Sequence, residues 1–446
     1  MRNSVRPNAR PVRRNRTSAI LLFALAALAP LRAVVAQDRA PVRWVTGASV
    51  IPMITHATFT PGNQTRTEAY LTQPLITAEA YRGALRARGT LDLEGLTLRR
   101  GELATGAWGE GFVDRRHPHT YVHELLVGAE SEGSRGRASL FAGRGFVPFG
   151  SDDPMTRPFV SYPVNHHLAQ ILERLEVVGA ARAGAFGLEL ATFNGDEPLD
   201  PSTPPLLRRF ADSWAARGTF FIDEVLSHEV RDRLGRGELE VSYAAVKSPE
   251  YREGRGMDQR KWHASVRVAN AGALWTRYAL AEWARTDDLD RGRRLYTFQS
   301  LLGEAALCRG DVGLAARIER SDRPEEERLA DLFRSPRPAT DLSILGVTRW
   351  TTLSAAFAAP AAVLARTRFA PFLEGALIGV ARVTAAVFNP SQFYGSNRMW
   401  RLASGVRVSA GHAHSRMGRY GAATTSARSD SGEFDHHSTE ATHCFA

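Results

Sequence analysis

The chain has 446 residues, 43% of them hydrophobic and 23% charged, the balance of a folded rather than a disordered chain. That length makes two or three ordinary domains or one large all-β barrel. The formal charge of +10 is concentrated at the start: residues 1–37 hold Arg2, Arg6, Arg10, Arg13, Arg14, Arg16 and Arg32 and no acid, so the remainder carries +3 and gives no support to nucleic-acid binding, which needs a clustered basic face.

Residues 1–36 read as a secretory signal peptide. Arg2 to Arg16 form a basic region, Ala19 to Leu31 an apolar one, and Val34-Val35-Ala36 precede a cut between Ala36 and Gln37. A retained membrane anchor is the competing reading, but Pro30 and Arg32 interrupt the apolar run. Arg13-Arg14 raises the twin-arginine route, which the residues after the pair fit poorly. The best later candidate for a membrane helix, Ala355 to Ala365, contains Pro360 and falls well short of the roughly 20 apolar residues a span needs. The exported chain is therefore soluble beyond the inner membrane, or a barrel, because only helices and closed barrels satisfy their backbone in lipid.

From Val42 onward the pattern is a stretch of alternating polarity, a turn, then another such stretch. Strands are expected near 44–57, 67–82, 84–98, 119–130, 136–145, 169–180, 183–193, 208–222, 236–247, 260–270, 272–285, 295–308, 311–321, 339–353, 363–381 and 398–413. In Trp262-His263-Ala264-Ser265-Val266-Arg267-Val268, one face is Trp, Ala, Val, Val and the other His, Ser, Arg. Such strips have one apolar and one wet side, since successive side chains point to opposite faces. A soluble sandwich alternates in the same way. The export signal, the length and the unbroken run of hairpins favour an all-β fold: a single antiparallel transmembrane barrel of about sixteen strands over residues 37–421, with long loops on one rim. Phe220 to Leu234 reads as a short helix, Pro324 to Phe333 as a helical turn or two, and residues 422–446 as a disordered tail rich in Ser, Thr and charge. A disulfide between Cys308 and Cys444 is open to an exported chain, but their spacing does not argue for it.

The stretch from Asp114 to His167 reads as one hairpin with a long loop, and it holds the loop and ligand candidates Asp114, Arg115, Arg116, His117, His119, His123, Glu124, His166 and His167. If the segment is extended, His117 and His119 lie about 6.6 Å apart, within reach of one metal, whereas His123 lies about 13 Å further on, too far to share it. Histidines bonded at a barrel rim are the favoured reading, with His117 and His119 the metal ligands if there are any. Asp114-Arg115-Arg116 beside Glu124 is a candidate charge cluster fixing the loop. Ser139, Ser151 and Ser161, with His166 and Asp152, are the nearest approach to a hydrolase triad, but no nucleophile elbow is present. No enzyme activity and no cofactor are expected.

The order Asp114-Arg115-x-His117-Pro118-His119 with Glu124, then His166-His167, Phe193-Asn194-Gly195-Asp196-Glu197-Pro198 and Lys247-Ser248-Pro249-Glu250, resembles a group of uncharacterised bacterial outer-membrane proteins with a porin-like pattern. Gly411 to Gly421 looks like the last strand and terminus of related proteins. The resemblance spans about residues 110–420 and implies an outer-membrane barrel, with no substrate. The chain departs from it at the end, where Ala422 to Ala446 follow.

The functional expectation is passive diffusion of small hydrophilic solutes through a barrel in outer-membrane lipid. The alternatives are a barrel that binds a metal or small ligand through the 114–167 region without conducting, and a secreted periplasmic β-protein. If apolar faces meet lipid, Arg267, Arg317, Arg401 and Arg407 point into the lumen with Glu240 and Glu319. Arg401 and Arg407 then lie beside a first strand that lacks charge around Val45 to Thr55, which suggests a weak preference for anions. Cross-strand Arg–Glu pairing that cancels this field is weighed as its equal.

Overall fold

A strand whose side chains alternate apolar and polar has two unlike faces, and it must bury one of them. The structure, a computed structural model, describes residues 41–58, 65–97, 119–133, 136–198, 201–271, 275–326, 344–384, 389–411, 417–423 and 444–445. Its strands are β1 (Arg43–Ala57), β2 (Arg66–Arg82), β3 (Leu85–Asp92), β4 (Val122–Gly133), β5 (Gly136–Gly145), β6 (Arg174–Ala183), β7 (Phe186–Phe193), β8 (Ser213–Phe221), β9 (Arg236–Val246), β10 (Asp258–Ala271), β11 (Thr276–Asp290), β12 (Arg293–Arg309), β13 (Val312–Glu326), β14 (Ile344–Ala358), β15 (Ala362–Leu364), β16 (Thr367–Arg382) and β17 (Arg398–Gly411). Each pairs antiparallel with its sequence neighbour, and β17 pairs with β1 from Gly47↔Gly411 to Ala57↔Arg401, which closes the sheet. β15 is a short flap on β16, while β14 pairs directly with β16 beyond it, so the barrel has sixteen staves. All sixteen expected strands correspond to staves.

The apolar face points outward. Leu125, Val127, Leu188, Val241, Leu301, Leu314, Ile318, Leu353, Leu377 and Leu402 are exposed on the outer surface, while their strand neighbours Glu124, Glu189, Glu240, Ser300, Arg317 and Arg401 are buried inside. Exposed apolar residues on stave after stave form a belt far larger than a water-facing surface tolerates, and lipid is the solvent that suits it. Aromatic side chains gather at both ends of the staves. Trp214, Tyr243 and Trp262 meet in succession, tilted and then edge-on, on β8, β9 and β10 near one rim, and Phe186 meets Phe220 near the other. That is the distribution of interfacial girdles.

Connections divide by rim. Both ends of the sheet, Arg43 and Gly411, lie on the rim of mostly tight turns, although residues 222–235 there form a longer link. The other rim carries the described segments 93–97 and 119–121, 194–198 and 201–212, and the long connections 146–173 and 247–257, although β11 and β12 are joined there by Arg291 and Gly292 alone.

The structure corrects several expectations. The 114–167 stretch is not one hairpin: it contains β4 and β5, and the long loop begins only after β5. Pro324, Glu325 and Glu326 extend β13 instead of starting a helix, because their pairing with β14 overrides local propensity; 327–333 lie outside the described residues. The expected 220–234 helix is reduced to a 3₁₀ turn at Ile222–Glu224 and a helix at His228–Leu234. The last strand ends at Gly411, and Met417, Arg419, Tyr420 and Ala422 are buried within the barrel. Of the tail expected to be disordered, Cys444 and Phe445 are also buried, because Cys444 is disulfide-bonded to Cys308 on the inner face of β12; 424–443 lie outside the described residues.

Two outcomes follow. Leu301→Arg, at the middle of the lipid-facing side of β12, should cost roughly 2–4 kcal/mol in denaturant unfolding from lipid vesicles, and a neutral effect would contradict the outward belt. Peptide mapping without reductant should recover Cys308 linked to Cys444, and two labelled free thiols would contradict the tail's position.

Candidate functional site

Pro148, Pro154, Pro158 and Pro163 keep the chain after β5 from forming another strand. At Gly150, with φ +82°, an added Cβ would lie 1.7 Å from the Ala169 carbonyl oxygen, so the turn that sends the chain inward requires glycine there. The loop crosses the lumen and is held by carboxylates of the far wall. Glu282 on β11 accepts bonds from Ser151 Oγ at 2.7 Å, Asn165 Nδ2 at 2.9 Å and the Arg157 guanidinium at 3.3 Å. Glu374 on β16 accepts from the Val160 N–H at 2.6 Å and from both the N–H and the hydroxyl of Ser161. Glu319 on β13 accepts the Val164 N–H at 2.8 Å. Burial alone would lower the pKa of Arg157, but the negative charge of Glu282 outweighs it and the group is held above its usual range.

A second segment enters from the other rim. Arg419 pairs with Glu240 on β9, and its neighbour's carbonyl, Gly418 O, accepts from Arg217 at 2.8 Å. The Tyr420 hydroxyl donates to Glu124 on β4 and accepts the Phe146 N–H, both at 2.9 Å, which ties this segment to the root of the loop.

The four expected lumen arginines do face inward, but they do not form a free positive strip. Arg317 donates to Glu304 at 2.6 Å and to the Ser161 carbonyl at 2.7 Å. Arg267 lies 3.4 Å from Asp152. Arg401 sits among the charges of Glu374 and Glu319. Arg407 donates to the Pro158 carbonyl at 2.6 Å. The loop supplies many of these partners, and a reading of the staves alone could not include it.

The histidines separate. Asp114, Arg115, Arg116 and His117 lie outside the described residues. Glu124 is bonded by Arg88, Thr90 and Tyr420. His167 is half-exposed, 3.6 Å from Glu197, while His166 is buried 3.7 Å from Asp153. His119 and His123, expected to be too far apart to share an ion, have ring centroids 4.8 Å apart. The chain at 119–121 is not extended strand, and His123 sits at a bulge. Thr90 pairs with Glu124 but Leu91 pairs with Val122, which leaves His123 as the extra residue. Strand alternation would put His123 on the lipid side with Leu125 and Val127; the bulge turns it inward beside Glu124, fully buried.

Glu173, the last residue before β6, holds both rings. Its carboxylate is 2.6 Å from His123 Nδ1 and 3.3 Å from His119 Nδ1, and its backbone takes φ +58°. A buried non-glycine residue in that region is strained and persists only where its surroundings over-determine it. Burial pulls the His119 pKa down, but Glu173 and the nearby charges of Asp92 and Glu94 outweigh it and push it up to about 10. Asp92, at the end of β3, brings one ligand atom within 4.8 Å of those of His119 and His123. Sequence reasoning missed both acids. Alternation along β3 places Asp92 inside with Thr90, which was a usable signal; nothing local marked Glu173.

Ser151 and Ser161 give their hydroxyls to wall carboxylates, and Ser139 accepts the Ala422 N–H.

No known protein-family profile matches the chain, and no characterised protein matches it in sequence. Among solved structures it is similar to an anion-selective porin from Comamonas acidovorans, at 7% identity over 83% of this chain and 100% of that one, with a TM-score of 0.46. OmpT, an outer membrane protein of Vibrio cholerae, is similar at 9% identity over 83% and 100%, with a TM-score of 0.45. OccK2 of Pseudomonas aeruginosa, in complex with glucuronate, is similar at 10% identity over 83% and 98%, with a TM-score of 0.36.

Glu282→Ala removes at once the acceptor of Ser151, Asn165 and Arg157, leaves the buried guanidinium without its carboxylate, and should cost roughly 3–5 kcal/mol of stability, with new protease cleavage within 146–173. Native stability and an uncut loop would show that Glu282 does not anchor it.

Proposed function

We propose that the chain is a porin-like outer-membrane channel, exported by its N-terminal signal, which passes small hydrophilic solutes by passive diffusion. The observation that carries this reading is the two-faced closed wall, apolar outside and lined inside with Glu, Arg, Ser and Thr. A barrel of this size encloses an aqueous lumen wherever its own segments do not fill it. Here 146–173 and 417–423 occupy much of that space, so conductance should be small for a barrel of sixteen staves. The apolar belt also weighs against a secreted periplasmic β-protein, which would bury that face.

Selectivity should be slight, because Arg267 and Arg317 are matched by acids. The weak anion preference rests on Arg407, whose bonded partner is a carbonyl.

Single-channel recording in planar bilayers tests the proposal. Native protein should give small, discrete steps, and Arg419→Ala with Tyr420→Phe, which loosens the inner C-terminal segment, should enlarge them severalfold. Folded native and loosened proteins that both fail to conduct would overturn the channel. Arg407→Ala should move the reversal potential in a salt gradient toward cations, and no movement would remove the anion preference.

A further inference from the structure

We propose that Asp92, His119 and His123 bind one divalent transition-metal ion of the zinc type, at the root of the inward loop. The site stands apart from conduction, so its test and the channel's can fail separately.

The bulge in β4 supplies the first argument. It turns His123 out of its lipid-facing register into the interior, where the backbone bond from the Asp92 N–H to the Tyr121 carbonyl, at 3.1 Å, sets Asp92 beside the start of β4. Bulges re-aim side chains in this way next to functional sites.

Unused lone pairs supply the second. His123 Nε2 and Asp92 Oδ2 are fully buried and lack a hydrogen-bond partner among the described residues. Their other atoms are committed: His123 Nδ1 to Glu173, and Asp92 Oδ1 to the Glu94 N–H at 2.8 Å. Glu173 is a carboxylate at 2.6 Å from Nδ1, so it favours the tautomer with the proton on Nδ1 and leaves Nε2 as a bare donor pair. An outer carboxylate holding a ligand histidine by its far nitrogen is the usual support of a zinc site. Asp92 is supported instead by the backbone N–H of Glu94, whose own carboxylate is fixed by Thr72 and the Gln73 N–H.

Electrostatics supply the third. Asp92, Glu94 and Glu173 are all buried within this small volume. Clustered buried carboxylates are costly, and a dication offsets more of their charge than the single positive charge that the His119 ring can carry. Two imidazoles and one carboxylate select a zinc-like ion over calcium or magnesium, which prefer all-oxygen shells. Ligand atoms about 2 Å from zinc lie roughly 3.3 Å apart, so a set within 4.8 Å closes on one ion with small side-chain shifts. The ion would link β3 to β4 and, through Glu173, pin the end of the loop at 146–173.

The test uses untagged full-length protein, stripped with chelator, re-equilibrated with Zn²⁺ and washed, with heat-modifiable migration confirming the fold of every variant. Elemental analysis should find one tightly held zinc per chain. Asp92→Asn or His123→Gln should abolish it, and Glu173→Gln should weaken it about 10- to 100-fold. The sequence also has His436, His437 and His443, and their joint replacement by Ala should leave the tight zinc in place. Absence of tight zinc, or zinc that survives Asp92→Asn and disappears with the three tail histidines, overturns the site. Should the ligand variants fail to fold, Co²⁺ added to native protein decides: visible bands of a four-coordinate N/O site uphold it, and a spectrum matching aqueous Co²⁺ overturns it.

Discussion

A carboxylate pointing into a barrel must be met by water or by donors, and in this protein the chain supplies the donors itself. Glu282, Glu319 and Glu374 stand on three separate staves, and each takes hydrogen bonds from the segment between β5 and β6. The dependence runs both ways. Without the loop these acids would be left to lumen water; without the acids the loop's N–H groups and Arg157 lose their partners. Removing either side of such a buried contact costs far more than the contact contributes net, so wall and loop specify each other's position.

The inner C-terminal segment extends this arrangement. Tyr420 bridges Glu124 of the wall to the backbone of Phe146 at the loop's beginning, while Glu173 at the loop's end holds His119 and His123. Both roots of the loop are thus braced near the start of β4. Cys444, bonded to Cys308, fixes a second point of the C-terminal region inside the same wall. The polar interior is a connected framework in which lipid-facing regularity gives way to irregular backbone only where other parts of the chain enclose it.

Much of the barrel was legible because alternation is a local signal. His263, Ser265 and Arg267 declare their face within seven residues, and similar strips mark every stave. What alternation could not supply was anything set by distant partners. The pairing of Pro324 with Val347 overrode a helical start, and nothing near Cys444 pointed to a cysteine on β12. The site was half legible: the His119 and His123 region was singled out, but their approach depends on a bulge that breaks the parity used to separate them. Asp92 and Glu173 lie far along the chain on either side, and only the closed sheet brings them together. The arginine faces were read with the correct orientation, but their neutralising partners come largely from the loop, as with Asp152 and the carbonyls of Pro158 and Ser161.

The most direct test is residue-resolved hydrogen exchange of the native protein in lipid at the amides of Gly150, Val160, Ser161 and Val164, which donate to Ser242, Glu374 and Glu319. If the wall holds the loop inside, these amides exchange as slowly as those of the neighbouring staves. Exchange at the rate of an open surface loop would contradict the central interaction.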